Sequence, residues 1–420
     1  MKFDKVCVVG LGYIGLPTAA VISASGVNVV GLDVDERVIR TINSGQIHIV
    51  EPGLEDVIKR VVNRGTLRAT LTVEPADVFV IAVPTPFEGS NHTPDLKYIR
   101  MVADNISKVL TSGNLVILES TSPVGTTEKL RGWLSNNRPD LNFVSDEASE
   151  TDVFIAYCPE RVLPGNVIQE LYENDRVIGG LCEKSSELAI KFYHIFVSGE
   201  CYKTDANTAE MAKLVENSYR DVNIAFANEL AAISSDSDIN VWELIRLANR
   251  HPRVNILSPG AGVGGHCIAV DPWFIVNQNP EKAKLIKQAR LINDSKPQTI
   301  IGDVQDYCQR NERHDKKLKI GLFGLSYKPD IDDMRESPSV IIAKSLAGIF
   351  SGQVYIVEPN IQKGHSVLTP EMQLVSQEEA LLVCDLVVFL VPHRQFKDSP
   401  MLIPGRTDVF DYCGLLEDQS

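Results

Sequence analysis

The stretch "VVGLGYIGLP", residues 8–17, sets Gly10, Gly12 and Gly15 in a G-x-G-x-x-G spacing, with Tyr13 and Ile14 between the last two glycines. It closes the apolar run "KVCVVG" (5–10), which reads as a strand, and opens a helical pattern over 14–25. In that context the first glycine permits a tight turn. The second lets a pyrophosphate approach the backbone, and the third lets helix and strand pack closely. The helix start adds unpaired N–H groups and the positive end of its dipole. Asp33 ends the next apolar run, "NVVGLD" (28–33), at the spacing of a ribose-binding acid. A carboxylate there accepts from ribose hydroxyls and repels a 2′-phosphate, so the expected cofactor is NAD rather than NADP.

Outward from this motif the same grammar continues. "DVFVIAVP" (77–84) and "LVILEST" (115–121) are continuous apolar runs, separated by helical patterns such as 35–44 and 94–110. Runs of that kind suit strands covered on both faces of a parallel sheet. The alternation implies an α/β doubly wound sheet. "VPTP" (83–86) and "ESTSPVGT" (119–126) follow strands, at the edge where such sheets bind ligands. Thr85, Thr121 and Thr126 are therefore hydroxyl candidates, and equally plain turn or cap residues.

The grammar returns late, in "KLKIGLFG" (317–324), a helix from about Ser337, "QVYIVEP" (353–359), "DLVVFLVP" (385–392) and "DVFDYC" (408–413). The expected architecture is two Rossmann-like domains joined by a long central helix. That helix is "NTAEMAKLVENSYRDVNIAFANELAAI" (207–233), free of Gly and Pro. It suits a dimerisation face, and equally packing within its own chain.

Composition bounds the rest. The 420 residues call for two or three domains. A hydrophobic fraction of 44% and a charged fraction of 23% describe a globular protein. A formal charge of −14 speaks against nucleic acid and anionic membranes as partners. There is no leader-like start and no apolar run long enough to span a bilayer, so a cytoplasmic location is expected. The eight cysteines, at 7, 158, 182, 201, 267, 308, 384 and 413, form no metal-ligand spacing and no disulfide framework, so no metal is expected.

Several polar residues remain to be explained. Lys213, Asn217 and Arg220 share one helical stripe, which is either a solvated face or a grip on phosphates and sugar hydroxyls. Glu160 and Arg161 lie in "CPERVLPG" (158–165), and His251 and Arg253 in "HPRVN" (251–255). Lys328 and Arg335 lie in "YKPDIDDMRES" (327–337). "PGAGVGGHCIAVDPW" (259–273) puts Cys267 after a glycine run, with Asp271 four positions on. That thiol is either a packed apolar side chain or a nucleophile.

Taken in order, GLGYIGLPTA, ESTSPVGTTE, YCPERVLPG, the long helix with Lys and Asn, GGHC with its later Asp, and FGLSYKPDIDDMRESP resemble the UDP-glucose/GDP-mannose dehydrogenase family over essentially the whole chain. The resemblance implies an NAD-binding domain (1–203), a central helical dimerisation domain carrying the catalytic lysine and cysteine loop (204–300), and a UDP-sugar-binding domain (317–420). It implies oxidation of a sugar C6 alcohol to a carboxylate with two NAD. Cys267 would be the nucleophile, with Lys213, Asn217, Asp271, Glu160 and Thr121 sharing the remaining chemistry. The glycines before Cys267 would leave room for the sugar.

Gly10, Gly12, Tyr13, Ile14, Gly15, Asp33, Thr85, Thr126 and Arg335 would hold NAD. Arg161, Val162, Lys213, Asn217, Arg220, His251, Arg253, Gly264, Tyr327 and Lys328 would hold the UDP-sugar. His251 or Arg253 would act from the partner subunit of a homodimer. The "CPERVLPG" run and His266 resemble the branch that uses UDP-N-acetyl-D-mannosamine, whose uronate feeds bacterial surface polysaccharide such as enterobacterial common antigen. The same chemistry on UDP-glucose or UDP-N-acetylglucosamine, a two-electron hydroxy-acid dehydrogenase and a catalytically silent nucleotide sensor remain alternatives. "FDYCGLLED" carries Cys413 where the family often has a basic residue.

Overall fold

The computed structural model describes residues 3–89, 91–143, 151–163, 165–265, 267–311, 317–398, 403–405 and 407–417. The chain divides into two compact units, Met1–Glu216 and Asn217–Ser420.

In chain order the first unit begins β1 (Lys5–Val9), α1 (Gly15–Ala24), β2 (Asn28–Leu32), α2 (Glu36–Asn43), α3 (Leu54–Asn63), β3 (Leu67–Thr70) and β4 (Val78–Ile81). A small hairpin, β5 (Phe87–Glu88) and β6 (Thr93–Pro94), precedes α4 (Lys97–Ile106), β7 (Leu115–Leu118), α5 (Thr126–Asn137) and β8 (Phe154–Tyr157). α6 (Val167–Glu173), β9 (Arg176–Gly180), α7 (Glu183–Tyr193) and β10 (Cys201–Asp205) complete the sheet. Its order is β10-β9-β8-β7-β4-β1-β2-β3. Strand order reverses between β1 and β4, which is where open α/β sheets bind ligands. β4 and β7 are buried at every position, which explains their unbroken apolar runs. All pairings are parallel except β8 with β9, so the doubly wound sheet is mixed at that one step.

α8 (Ala206–Ser235) starts in the first unit and ends in the second. Then come α9 (Val241–Ala248), α10 (Asp271–Gln278), α11 (Lys284–Asn311), β11 (Ile320–Phe323), α12 (Pro338–Ile349), β12 (Val354–Val357), β13 (Met372–Leu374), α13 (Gln377–Val383), β14 (Leu386–Phe389), α14 (Arg394–Asp398) and β15 (Asp408–Asp411). The second sheet is fully parallel, in the order β13-β12-β11-β14-β15. α11 begins inside the central helical region read as 204–300 and runs past its end to Asn311. Pro297 lies inside it, and an internal proline masks a helix from pattern reading. Among the described residues no helix is long and apolar enough to cross a membrane.

Candidate active site

The first unit builds a dinucleotide turn. A Cβ on Gly15 would sit 1.8 Å from Gly10 O, and one on Gly10, at φ 90°, would sit 2.5 Å from Ala82 O. Those two glycines serve the protein's own packing. Gly12 has no atom within 4 Å of the same position, so its missing side chain leaves open space for a ligand. Tyr13 packs on the core beside it, and Ile14 caps α1. Asp33 Oδ2 accepts the Leu11 N–H at 2.8 Å, and Oδ1 accepts those of Val34 and Asp35 at 2.7 and 3.0 Å. The carboxylate is thus fixed beside the glycine turn. Open space at Gly12, the start of α1 and this carboxylate together fit NAD.

Thr85 and Thr121 meet at the same sheet edge, where Thr85 Oγ1 donates to Thr121 O at 2.5 Å. Thr126 is fully buried, and its hydroxyl closes a turn on Pro123 O at 2.6 Å. Beside this turn α8 supplies Glu210, whose carboxylate accepts the N–H groups of Gly125 and Thr127 at 2.6 and 2.8 Å. That acid caps α5 and ties α8 to the turn; burial raises its pKa.

One turn along α8, the Lys213 ammonium donates to Glu160 O at 2.6 Å and is itself buried. The Glu160 side chain points elsewhere. Its Oε2 accepts from Arg176 Nη1 at 2.9 Å, and Oε1 accepts the Arg161 N–H at 2.7 Å. Arg176 and Glu160 form a buried ion pair, with side chains 1% and 6% exposed. Nearby, Glu119 accepts from Thr18 Oγ1 and Tyr193 OH at 3.3 Å each. Burial, then the Glu160 charge, push the Glu119 carboxyl up to about 8. Arg161 is paired with Glu216 at 2.8 Å and donates to Asp175 O. Val162 packs against the core. Glu51 accepts the N–H groups of Gly165 and Val167, pinning the end of the same loop.

The second unit builds the thiol loop. Cys267 is exposed, whereas Cys7, Cys158, Cys308 and Cys384 are buried and Cys182, Cys201 and Cys413 half-buried; no disulfide is present. Cys267 O accepts the N–H groups of Val270 and Asp271 at 3.0 and 2.8 Å, which starts α10 directly after the thiol. Asp271 is buried, and its Oδ2 accepts from Asn217 Nδ2 at 2.5 Å. A Cβ on Gly264 would lie 2.6 Å from Glu336 O and 2.9 Å from Tyr327 Cβ, and one on Gly265 would lie 2.9 Å from the Tyr327 ring. The space at Gly264 and Gly265 is therefore filled by the protein, while Gly260 has none of it within 4 Å. His266 lies outside the described residues.

The remaining polar candidates are more dispersed. Arg220, His251 and Arg253 are exposed. Lys328 is half-buried, and its carbonyl accepts from Ser326 Oγ at 2.7 Å. Arg335 is held in two hydrogen bonds by Asp333, at 2.8 and 2.6 Å. Sequence reading missed Glu51, Glu119, Arg176 and Glu210. Each acts on residues far away in the chain, and no local spacing marks such a role. The one available hint was an acid or arginine inside an otherwise apolar stretch, as in "LVILEST".

Models of the UDP-glucose/GDP-mannose dehydrogenase family match along the chain: the NAD binding domain over residues 4–197, the central domain over 207–295 and the UDP binding domain over 321–417. A UDP-N-acetyl-D-mannosamine dehydrogenase of Campylobacter jejuni is 55% identical over 400 residues, covering 94% of this chain and 97% of that protein. Its Escherichia coli K12 counterpart is 55% identical over 401 residues, covering 94% and 95%. Among solved structures, a UDP-D-ManNAc dehydrogenase from Pyrococcus horikoshii superposes with a TM-score of 0.88 at 37% identity, covering 98% of this chain and 96% of that one.

Proposed function

Since the chain belongs to the UDP-glucose/GDP-mannose dehydrogenase family, we propose that it oxidises the C6 alcohol of UDP-N-acetyl-D-mannosamine to the carboxylate of UDP-N-acetyl-D-mannosaminuronate. The observation that carries this reading is Cys267, the exposed cysteine of the chain, set on a loop that runs directly into Asp271. Identity of 55% to enzymes named for that substrate supports the sugar.

In this reading residues 1–203 hold NAD, 204–300 carry the catalytic lysine and cysteine loop, and 317–420 hold the UDP-sugar. Gly12, the start of α1 and Asp33 hold the dinucleotide, aided by Thr85; Thr126, fully buried and bonded to Pro123 O, serves the turn instead. Two molecules of NAD each supply one hydride acceptor. The protein's own chemistry lies between the two oxidations. The first leaves an aldehyde, whose carbon has no suitable second hydride to give. Addition of the Cys267 thiolate makes a thiohemiacetal, whose carbon carries one again. Its oxidation leaves a thioester, and water splits that into the carboxylate and the thiol. Lys213, held by Glu160 O, stabilises the negative sugar oxygen. Asn217 hydrogen-bonds the same region, and Asp271 and Thr121 help to place the water.

Glu160 holds the loop through its Arg176 pair, and acid–base work or hydrolysis is its proposed share of the chemistry. Arg220, Arg253, His251, Arg161 and Lys328 contact the nucleotide sugar, with Val162, Gly264 and Tyr327 shaping its place. Arg161 must exchange Glu216 for the substrate to do so.

A homodimer is part of the proposal. Val215, Tyr219, Phe226 and Ile233 form an exposed apolar stripe at helical spacing on α8. His251 or Arg253 would then serve the partner's site. Reduced thiols fit a cytoplasmic enzyme, and the uronate would feed a surface polysaccharide such as enterobacterial common antigen.

The test is the yield of NADH per sugar. The wild type should give two, with kcat/KM favouring UDP-N-acetyl-D-mannosamine over UDP-glucose. Cys267→Ser should stall near one or below. Wild-type turnover in Cys267→Ser would end the covalent mechanism, and preference for UDP-glucose would end the substrate assignment.

A further inference from the structure

Gly260 lies seven residues before Cys267 in the segment between α9 and α10, and a chain of fully buried side chains in the second unit ends on that residue. Arg290 Nη1 donates to Asp221 Oδ1 at 2.6 Å. Asn293 Nδ2 donates to Asp221 Oδ1 at 2.8 Å and to Asp221 O at 3.0 Å. Asn293 Oδ1 accepts from Asn228 Nδ2 at 3.0 Å, and Asn228 Oδ1 accepts the Gly260 N–H at 2.9 Å. All four side-chain-bearing residues are at most 2% exposed.

The relay has a direction. The Asp221 carboxylate only accepts, so Asn293 must turn its amide nitrogen toward it and its oxygen away. Asn228 must then turn its nitrogen toward Asn293 and its oxygen toward Gly260. Flipping either amide would set oxygen against oxygen. Asp221 Oδ2 and Arg290 Nε have no hydrogen-bond partner. A buried ion pair left partly unsatisfied is a poor stabiliser compared with apolar packing. What it does produce is a single orientation of Asn293. The same residue touches the loop again: a Cβ on Gly262, at φ 131°, would lie 3.4 Å from Asn293 O and 3.0 Å from Pro338.

We infer that Asn228 and Asn293 are positioning residues for Cys267: the Arg290–Asp221–Asn293–Asn228 relay fixes Gly260 through Gly262 and so sets where the loop delivers its thiol. Its consequence for turnover rests on reading Cys267 as the nucleophile. Beyond the thiol, the Asn217–Asp271 contact holds α10. Cys267 thus lies between two anchored segments of one unit.

The experiment measures alkylation of Cys267 by iodoacetamide, followed by mass spectrometry of the peptide that carries it, in wild type, Asn228→Ala and Asn293→Ala. The thiol rate should change by about threefold or more, since reactivity follows its local setting. The kcat should fall by roughly ten- to a hundredfold, as displacement of a reacting group by about 1 Å does. KM for NAD should stay unchanged, which a general loss of structure would not leave intact. Asn228→Ser, which keeps an acceptor oxygen, should recover part of both losses. Wild-type alkylation and kcat in folded Asn228→Ala would overturn the inference. Should the alanine variants not fold, hydrogen exchange of the wild type decides. The Gly260 amide should exchange slowly, and rapid exchange would overturn the relay. Full turnover by Cys267→Ser is a separate failure. It removes the nucleophile while leaving the alkylation result of Asn228→Ala to judge the loop.

Discussion

β1 runs into Gly10-Leu11-Gly12-Tyr13, and β11 runs into Gly324-Leu325-Ser326-Tyr327. Gly10 has φ 90° and Gly324 φ 89°. Gly10 N–H donates to Leu32 O at 2.8 Å, and Gly324 N–H to Val357 O at 2.9 Å. An acid follows the second strand of each sheet: Asp33 accepts the Leu11 N–H at 2.8 Å, and Glu358 accepts the Leu325 N–H at 2.7 Å. Up to this point the two sheet edges are copies.

Then they diverge. In the first unit α1 begins at Gly15, so the helix start reaches the turn, and Gly12 is open. In the second, α12 begins only at Pro338. Ser326 is fully buried. Glu358 is closed off by His393, which has no exposure: Asp330 N–H donates to His393 Nδ1 at 3.0 Å, so Nε2 carries the proton and faces Glu358 Oε2 at 3.1 Å. One edge is built to receive a dinucleotide, and the other has filled that place with its own side chains. Strand, glycine and acid make the fold; the length of the turn after them decides the ligand.

The largest effect expected from breaking this comparison comes from Gly15→Ala. Its Cβ would strike backbone at 1.8 Å, so a loss of about 3 kcal/mol or more, or failure to fold, is expected. Thermal unfolding measures it, and a stable variant would show that the turn yields. Next is pH. The Glu119 carboxyl is raised to about 8 by burial and then by the Glu160 charge. The folded state therefore keeps a proton that the unfolded chain loses near 4.5, and Glu119 costs stability progressively as pH rises between those values. Glu358 has the opposite sign. Burial works to raise its pKa, yet the His393 hydrogen bond and the Leu325 and Asn360 N–H groups hold it below the usual carboxylate range. Its stabilisation is present above about 4.5 and lost as pH falls through the folded value. Glu119→Gln should flatten the decline on the alkaline side, and Glu358→Gln the decline on the acid side. Denaturant midpoints across pH check both, and interchanged effects would show the two environments wrongly assigned.

The smallest effect on stability belongs to Gly12→Ala. No protein atom lies near its Cβ, so unfolding should shift by well under 1 kcal/mol. NAD should nonetheless bind roughly tenfold or more weakly, because the pyrophosphate loses its approach. Calorimetry with NAD measures this, and unchanged affinity would move the dinucleotide away from the turn.

Sequence made the central elements legible because their signals are local. The run at 28–33 became Asn28–Leu32, and 207–233 became Ala206–Ser235. Glycine spacing and strand burial act within a few residues, so pattern reading finds them. The full length of α11 escaped, because Pro297 interrupts its pattern just before the expected end of the central helical region at 300. The antiparallel pairing of β8 with β9 escaped because strand direction leaves no mark on an apolar run.

By itself the sequence determined the two α/β halves, the glycine turn, Asp33, and the identity of Cys267 as the cysteine on a glycine-rich loop. Each is a property of a short segment and its backbone freedom. Only the tertiary structure decided that Glu160 spends its carboxylate on Arg176, that Glu210 caps α5, that Tyr327 fills the space beside Gly265, and that Asn293 reaches Gly260 through Asn228. Those are pairings between residues dozens of positions apart, and a hydrogen bond depends on where the folded chain brings its ends rather than on what lies between them.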